Sequence, residues 1–223
     1  MPIFLLDAFG SASIGVFTLL TDEAAVVPRQ IPEAHVKKLE MWLGVKVIRT
    51  NIGGSILLGC LARANSNGIV LPHFVLGEEM EIIKSSVDVN LTIMETKRTA
   101  YGNLVLANDF GALVDPRLER SDIKSIEDTL GVEAVPGEIA KLPYVGSLGT
   151  ATNKGVLAHP LIADEERKVL EDVLKVNVGV GTVNCGIPYV ATGLLGNSRA
   201  AVAGSLTTGP ELFMIGEALD VVD

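Results

Sequence analysis

The sequence predicts an α/β fold, a five-fold pseudosymmetric α/β propeller whose units each run strand, hairpin, helix. Three observations predict it: a period of 44 residues, a turn signal between two apolar runs in every period, and an amphipathic helical stretch after each hairpin. Four prolines set the period. They close similar runs at Val26-Val27-Pro28, Val70-Leu71-Pro72, Val114-Asp115-Pro116 and Ala158-His159-Pro160, each 44 residues from the last. A fifth step lands on Gly204, which closes Ala200-Ala201-Val202-Ala203. Five units fill 220 of 223 residues, so the chain reads as one domain of five repeats: 1-44, 45-88, 89-132, 133-176 and 177-223.

Each element follows from local chemistry. A short strand rich in β-branched and aliphatic residues opens each unit: Ile3 to Leu6, Val45 to Ile48, Val89 to Ile93, Val132 to Val135 and Val176 to Val180. Polar turns then separate two apolar runs at Thr21-Asp22-Glu23, Asn65-Ser66-Asn67-Gly68, Asn108-Asp109-Phe110-Gly111, Asn153-Lys154-Gly155 and Asn197-Ser198-Arg199. Asn and Gly tolerate the positive φ of tight turns, so each reads as a β-hairpin. Apolar residues three and four apart mark the helices: Val36, Leu39 and Leu43; Met80, Ile83 and Val87; Ile123, Ile126 and Leu130; Leu170, Val173 and Leu174; Leu212, Ile215 and Leu219. The last opens with Thr208 and Glu211 at capping-box spacing and Pro210 in its first turn. Such a unit cannot bury its own faces, and an open stack would need polar end caps. The first and last units are no more polar than the others, which predicts a closed ring.

Composition excludes several classes. Hydrophobic residues make up 48% of the chain, yet its longest charge-free run, Val176 to Ser198, is broken by five glycines, Asn177, Asn184 and Pro188. That is no membrane span, and it reads as buried strands. The N-terminus has no basic region before its apolar run, and Asp7 interrupts that run, so a cytoplasmic protein is expected. Cys60, Cys185 and the three histidines have no metal-ligand spacing, so no metal is expected. A net charge of −9 and 4% aromatic residues argue against phosphate-led DNA binding and base stacking, and favour a basic partner.

Several strings carry a resemblance. Asn108 to Pro116, Val145-Gly146-Ser147, Thr152 to Pro160, Val173 to Val176, and Gly181-Thr182-Val183-Asn184 with Gly186 resemble hallmarks of the translation initiation factor 6 family. The match preserves the order of the motifs along essentially the whole chain, and without the tail of eukaryotic members it resembles the shorter archaeal form. The resemblance implies a pentein fold and an anti-association factor. Such a factor binds the joining face of the large ribosomal subunit near the sarcin–ricin loop, contacts a basic ribosomal protein there, and blocks the small subunit sterically. It implies a monomer with no cofactor and no catalysis, released by separate factors.

Candidate contact residues lie on the hairpin turns, which repeat symmetry places on one rim: Asn65, Asn108, Asp109, Phe110 and Asn153, with Arg63 as a nearby cation. Asparagine is also simply a good turn former. Phe110 serves as an exposed apolar anchor or folds back onto the core. Cys60, read within a hairpin strand from Ile56 to Leu61, departs from the resemblance, since eukaryotic relatives tend to carry a basic residue near that position, and this argues against a ribosome contact at Cys60. Its bland reading is a buried small hydrophobe. The alternative function is a guanidino-modifying enzyme on the same fold, for which Cys185 would need a polarising histidine. Glu78-Glu79 and Glu165-Glu166 read as solvated helix starts, and Gly53-Gly54 as a loop.

Overall fold

A computed structural model describes residues 2–220 of the chain. Among them, five three-stranded sheets form. The sheets are built alike. A hairpin contributes two antiparallel strands, a helix follows, and the chain returns as a strand parallel to the second strand of the hairpin. The first sheet joins Leu19–Leu20, Ala24–Val27 and Lys46–Arg49, with the helix Glu33–Leu43 as the crossover. The second joins Arg63–Ala64, Gly68–Pro72 and Asn90–Met94 around Gly77–Lys84. The third and fourth repeat the plan around Arg120–Leu130 and Asp164–Leu174. Parallel neighbours need a crossover of a dozen or more residues, and the helix with its flanking loops supplies it.

The fifth sheet closes the ring. Its hairpin, Leu194–Gly196 with Ala201–Gly204, is completed by the N-terminal strand Ile3–Leu6, paired in parallel from Ile3 opposite Ala201 to Leu6 opposite Gly204. Blades are therefore out of phase with the sequence units that begin at residues 1, 45, 89, 133 and 177. The strand that opens each unit completes the sheet of the unit before it. A period fixes the length of a repeat and leaves open where the three-dimensional unit begins. The last three residues of the unit 177-223 lie outside the described residues.

Burial follows from this arrangement. The middle strand of every sheet is buried along its whole length. The predicted helix faces point inward, with Leu39, Leu43, Ile83, Ile126, Leu130, Leu170, Leu174, Ile215 and Leu219 buried. The core is divided among five clusters rather than gathered at the centre. One of them packs Leu195 and Val202 of the fifth sheet against Ala25, Val27, Leu39 and Leu43 of the first blade. Phe4 also stacks on Trp42 at 4.5 Å, fastening the N-terminal strand to the first helix.

Two local expectations are corrected. The run Ile56 to Leu61 is no hairpin strand, because Leu58–Leu61 forms a helical turn and the strand starts at Arg63. The charge-free run from Val176 contains the strands Asn177–Val180 and Leu194–Gly196, separated by a loop and the helical turn Val190–Gly193. Equivalent turns at Ile14–Val16, Tyr101–Leu104 and Val145–Leu148 complete a set of five, each touching the next in cyclic order.

In four of the five the approach is so close that it dictates glycine, at Gly15, Gly59, Gly102 and Gly146, while the fifth carries Ala191. A methyl group on Gly59 would stand 1.8 Å from the Gly15 carbonyl oxygen, and one on Gly102 would stand 1.9 Å from that of Gly59. Gly59→Ala should therefore cost about 1–3 kcal/mol or more of stability, as forced overpacking does. Gly77→Ala, where nothing lies within 4 Å, is the control and should melt at or slightly above the parent temperature. Thermal denaturation of the two variants checks this, and equal melting temperatures would refute backbone contact as the constraint.

Candidate functional site

The five hairpin turns line one face, and three of their asparagines are buried there. Asn65, Asn108 and Asn197 are only 2–4% exposed. The Asn108 carbonyl oxygen accepts the N–H groups of Phe110 and Gly111, which fixes its own turn. Its amide donates to the carbonyls of Thr152, in the next turn, and Leu174, the last residue of the next helix, at 3.1 and 2.9 Å. Asn65 repeats this with Asn108 and Leu130, and Asn197 reaches Leu43. A helix end leaves carbonyls without intrahelical donors, and each asparagine supplies one from the neighbouring blade. The expectation that Asn65 and Asn108 present their amides at the rim is thus corrected: they are ties between blades. The fourth equivalent position is not Asn153 but Thr152, and the Thr152 hydroxyl accepts the N–H groups of Lys154 and Gly155.

One residue further on, the turns form a second, more accessible set: Asp22, Ser66, Asp109, Asn153 and Ser198. Asp109 accepts the Ser66 N–H and hydroxyl, both at 2.8 Å. Asp22 accepts the same pair of donors from Ser198, at 2.7 and 2.6 Å. The Asn153 amide bridges the two carboxylates, 2.6 Å from Asp109 and 3.0 Å from Asp22. Asp109 and Asn153 are thereby brought together as a polar plug over the axis. Phe110 stands beside it at 49% exposure, so of its two readings the structure places the exposed one.

Arg63 is elsewhere. Its side chain turns into the axial channel, where one terminal nitrogen donates to the carbonyls of Gly102 and Gly146 at 2.5 and 3.1 Å. Burial pulls its pKa down to about 10, with a smaller opposing effect from the Cys60 thiol. The expectation of a surface cation at Arg63 is corrected, because its reach is spent on the central helical turns. Cys60 beside it is half-buried, and burial raises its thiol pKa.

The opposite face carries the helix N-termini and the loops that lead into the central helical turns. At Gly53-Gly54 both residues take positive φ, and their N–H groups hold the carboxylate of Glu79 at 2.6 and 2.9 Å. Glu166 receives Ala140 and Lys141 in the same way, and Glu211 receives Cys185 and Gly186. Glu79 is buried, so the reading of Glu78-Glu79 as a solvated pair holds for Glu78 alone. Burial alone would raise Glu211; donors from Thr208, Gly186 and Thr182 outweigh it and hold the carboxyl at about 2.

The third blade departs from this plan, and a cleft of about 910 Å³ lined by His73, Lys97, Arg98, Arg117, Glu119 and Asp122 lies there. Leu57, Tyr144 and Tyr189 are exposed at the start of the helical turns on this face, two residues ahead of Gly59, Gly146 and Ala191. That recurring aliphatic or aromatic residue two ahead of a small one was the signal available in the sequence. Cys185 is exposed on its loop, and no hydrogen bond among the described residues joins it to a histidine. His159 is buried and spends its Nδ1 on the Leu161 N–H. Among the described residues, no cluster of His, Cys, Asp and Glu fits a metal, and no helix is long and apolar enough to cross a membrane.

Comparison with known proteins gives a consistent picture. Residues 3–218 match the eIF-6 family. The chain is 44% identical to translation initiation factor 6 of Pyrococcus abyssi over the whole of both chains. It is 43% identical to that of Methanocaldococcus jannaschii over 96% of each, and 36% identical to that of Staphylothermus marinus over 98% of each. Two solved structures align more weakly. An agmatine deiminase of C. jejuni with substrate bound gives a TM-score of 0.38 at 15% identity, over 56% of this chain and 50% of its own. A DDAH from Pseudomonas aeruginosa complexed with citrulline gives 0.44 at 12%, over 74% and 68%.

Two measurements separate ties from surface groups. Asn108→Ala strips a helix-end carbonyl of its donor and should cost about 1–3 kcal/mol in denaturant unfolding. Phe110→Ala should stay within about 0.5 kcal/mol of the parent. Glu211, held at about 2 against an ordinary 4.5, contributes stability that is complete above pH 4.5 and lost as pH falls toward 2. Glu211→Gln should therefore flatten the acid limb of a melting-temperature profile over that window, and an unchanged profile would show the carboxylate to be dispensable.

Proposed function

Because this chain belongs to the eIF-6 family and its relatives are translation initiation factors, we propose that it binds the joining face of the large ribosomal subunit and keeps the small subunit away by bulk. The match over residues 3–218, with full-length identity to those factors, is the observation that carries this reading. The ring suits the task. A closed disc of interlocked blades has no hinge through which an approaching subunit could push it aside. A standard interface of roughly 1,600 Å² would suffice to hold it. A net charge of −9 complements a basic ribosomal protein near the sarcin–ricin region.

We assign the docking surface to the hairpin face. Phe110 is its apolar anchor, and Asp109 with Asn153 forms the polar collar beside it. Asn65, Asn108 and Arg63 serve indirectly by fixing the turns and the channel. Binding of this kind requires no cofactor, no metal and no second copy of the chain. A guanidino-modifying enzyme would need a polarised thiol, whereas Cys185 lies on an exposed loop with its N–H on Glu211.

Sucrose-gradient sedimentation with purified subunits tests the proposal. The protein should travel with the large subunit alone and reduce the joined-ribosome peak. Phe110→Ala should weaken that binding about tenfold, equivalent to ~1.4 kcal/mol, while folding normally. Equal association with both subunits, or with neither, would overturn it.

A further inference from the structure

Arg63 occupies a position where charge is out of place. It pairs with Val70, and the matching positions in the other four hairpins are Leu19, Leu106, Thr150 and Leu195, all buried. One blade thus sets a guanidinium where its counterparts keep three leucines and a threonine. Among the described residues, every ion pair lies elsewhere, and Arg63 is in none of them. Its protein contacts are two neutral carbonyls, of Gly102 and Gly146, while its Nε–H is buried without a partner. The thiol of Cys60 gives no counter-charge at neutral pH, since burial raises its pKa.

Arg63 is only partly withdrawn from water as a residue, but its Nε–H is fully enclosed. A cation held in that setting without an anion is costly, and a guanidinium stays protonated in almost any protein setting. Space for a counter-ion is present. A cavity of about 60 Å³ adjoins the side chain, lined also by Thr18, Thr150 and the small residues Gly15, Gly59 and Ala191 of the central turns. A single water needs roughly 10–15 Å³, so the cavity admits a chloride-sized ion with a water or two and excludes a nucleotide or a peptide. The Thr18 hydroxyl can turn to donate toward it, while that of Thr150 donates to the Leu194 carbonyl.

We propose that the axial channel is a binding site for a small monovalent inorganic anion, chloride in the simplest case, held by the Arg63 Nε–H and neutralising its charge. The ion would tie the second blade to the helical turns of the third and fourth, since Arg63 already bridges them. The site is internal and independent of ribosome binding.

Crystals grown in sodium bromide should show an anomalous peak in contact with Arg63 Nε. The protein should also melt roughly 3–6 °C higher with chloride at tenfold above its Kd than in gluconate of equal ionic strength. Arg63→Leu, matching the equivalent positions, should fold, lose the peak and lose the chloride dependence. Water alone in the channel of the parent protein overturns the proposal. So does melting indifferent to the anion, or a bromide peak retained in Arg63→Leu. The bromide map of the parent protein decides the matter even if the variant does not fold.

Discussion

The parallel pairing of Ile3–Leu6 with Ala201–Gly204 is the contact on which the architecture depends. It joins the two ends of the chain into one sheet, so that no blade is left with an open flank. Without it, Leu195 and Val202 would lose the first-blade residues that they pack against. The same closure draws five helical turns together around the axis, which is why Gly15, Gly59, Gly102 and Gly146 have no space for a side chain. Sheet pairing at the circumference and backbone contact at the centre thus impose one geometry. Neither can relax alone.

Between these two zones the blades are laced by polar ties rather than by hydrophobic contact only. Three asparagines bond their own turns with the carbonyl and the neighbouring blade with the amide. On the opposite face, Glu79, Glu166 and Glu211 do comparable work by collecting paired N–H groups from the loops. A buried, fully bonded polar group of this kind penalises any other register, so it helps to specify a single arrangement. Part of the acidity of the chain is accordingly structural and is not presented to a partner.

Positions that repeat around the ring hold it together, while positions that break the symmetry are free to differ. Phe110 has Glu23, Asn67, Lys154 and Arg199 as its counterparts, and of these five described positions it is the one that carries an aromatic ring, which is exposed. Arg63 stands among leucines, and the third blade opens a cleft at its loop. The proposed ribosome-binding role and the proposed internal ion site draw on different departures of this sort, with the same rigid frame available to both.

The repeat length, the five hairpins, the inward faces of the helices and the family motifs were determined by the sequence itself. Each of these is local, fixed by periodicity and turn chemistry within a few residues. What tertiary structure decided was phase and direction. The 44-residue period could not say that Lys46–Arg49 belongs to the sheet of the preceding hairpin, because strand pairing across a crossover is non-local. Nor could a turn-forming asparagine reveal that its amide would be claimed by the end of another helix 66 residues away, as Asn108 is by Leu174. The inward swing of Arg63 was hidden for the same reason: its partners, Gly102 and Gly146, come near only once the ring has closed.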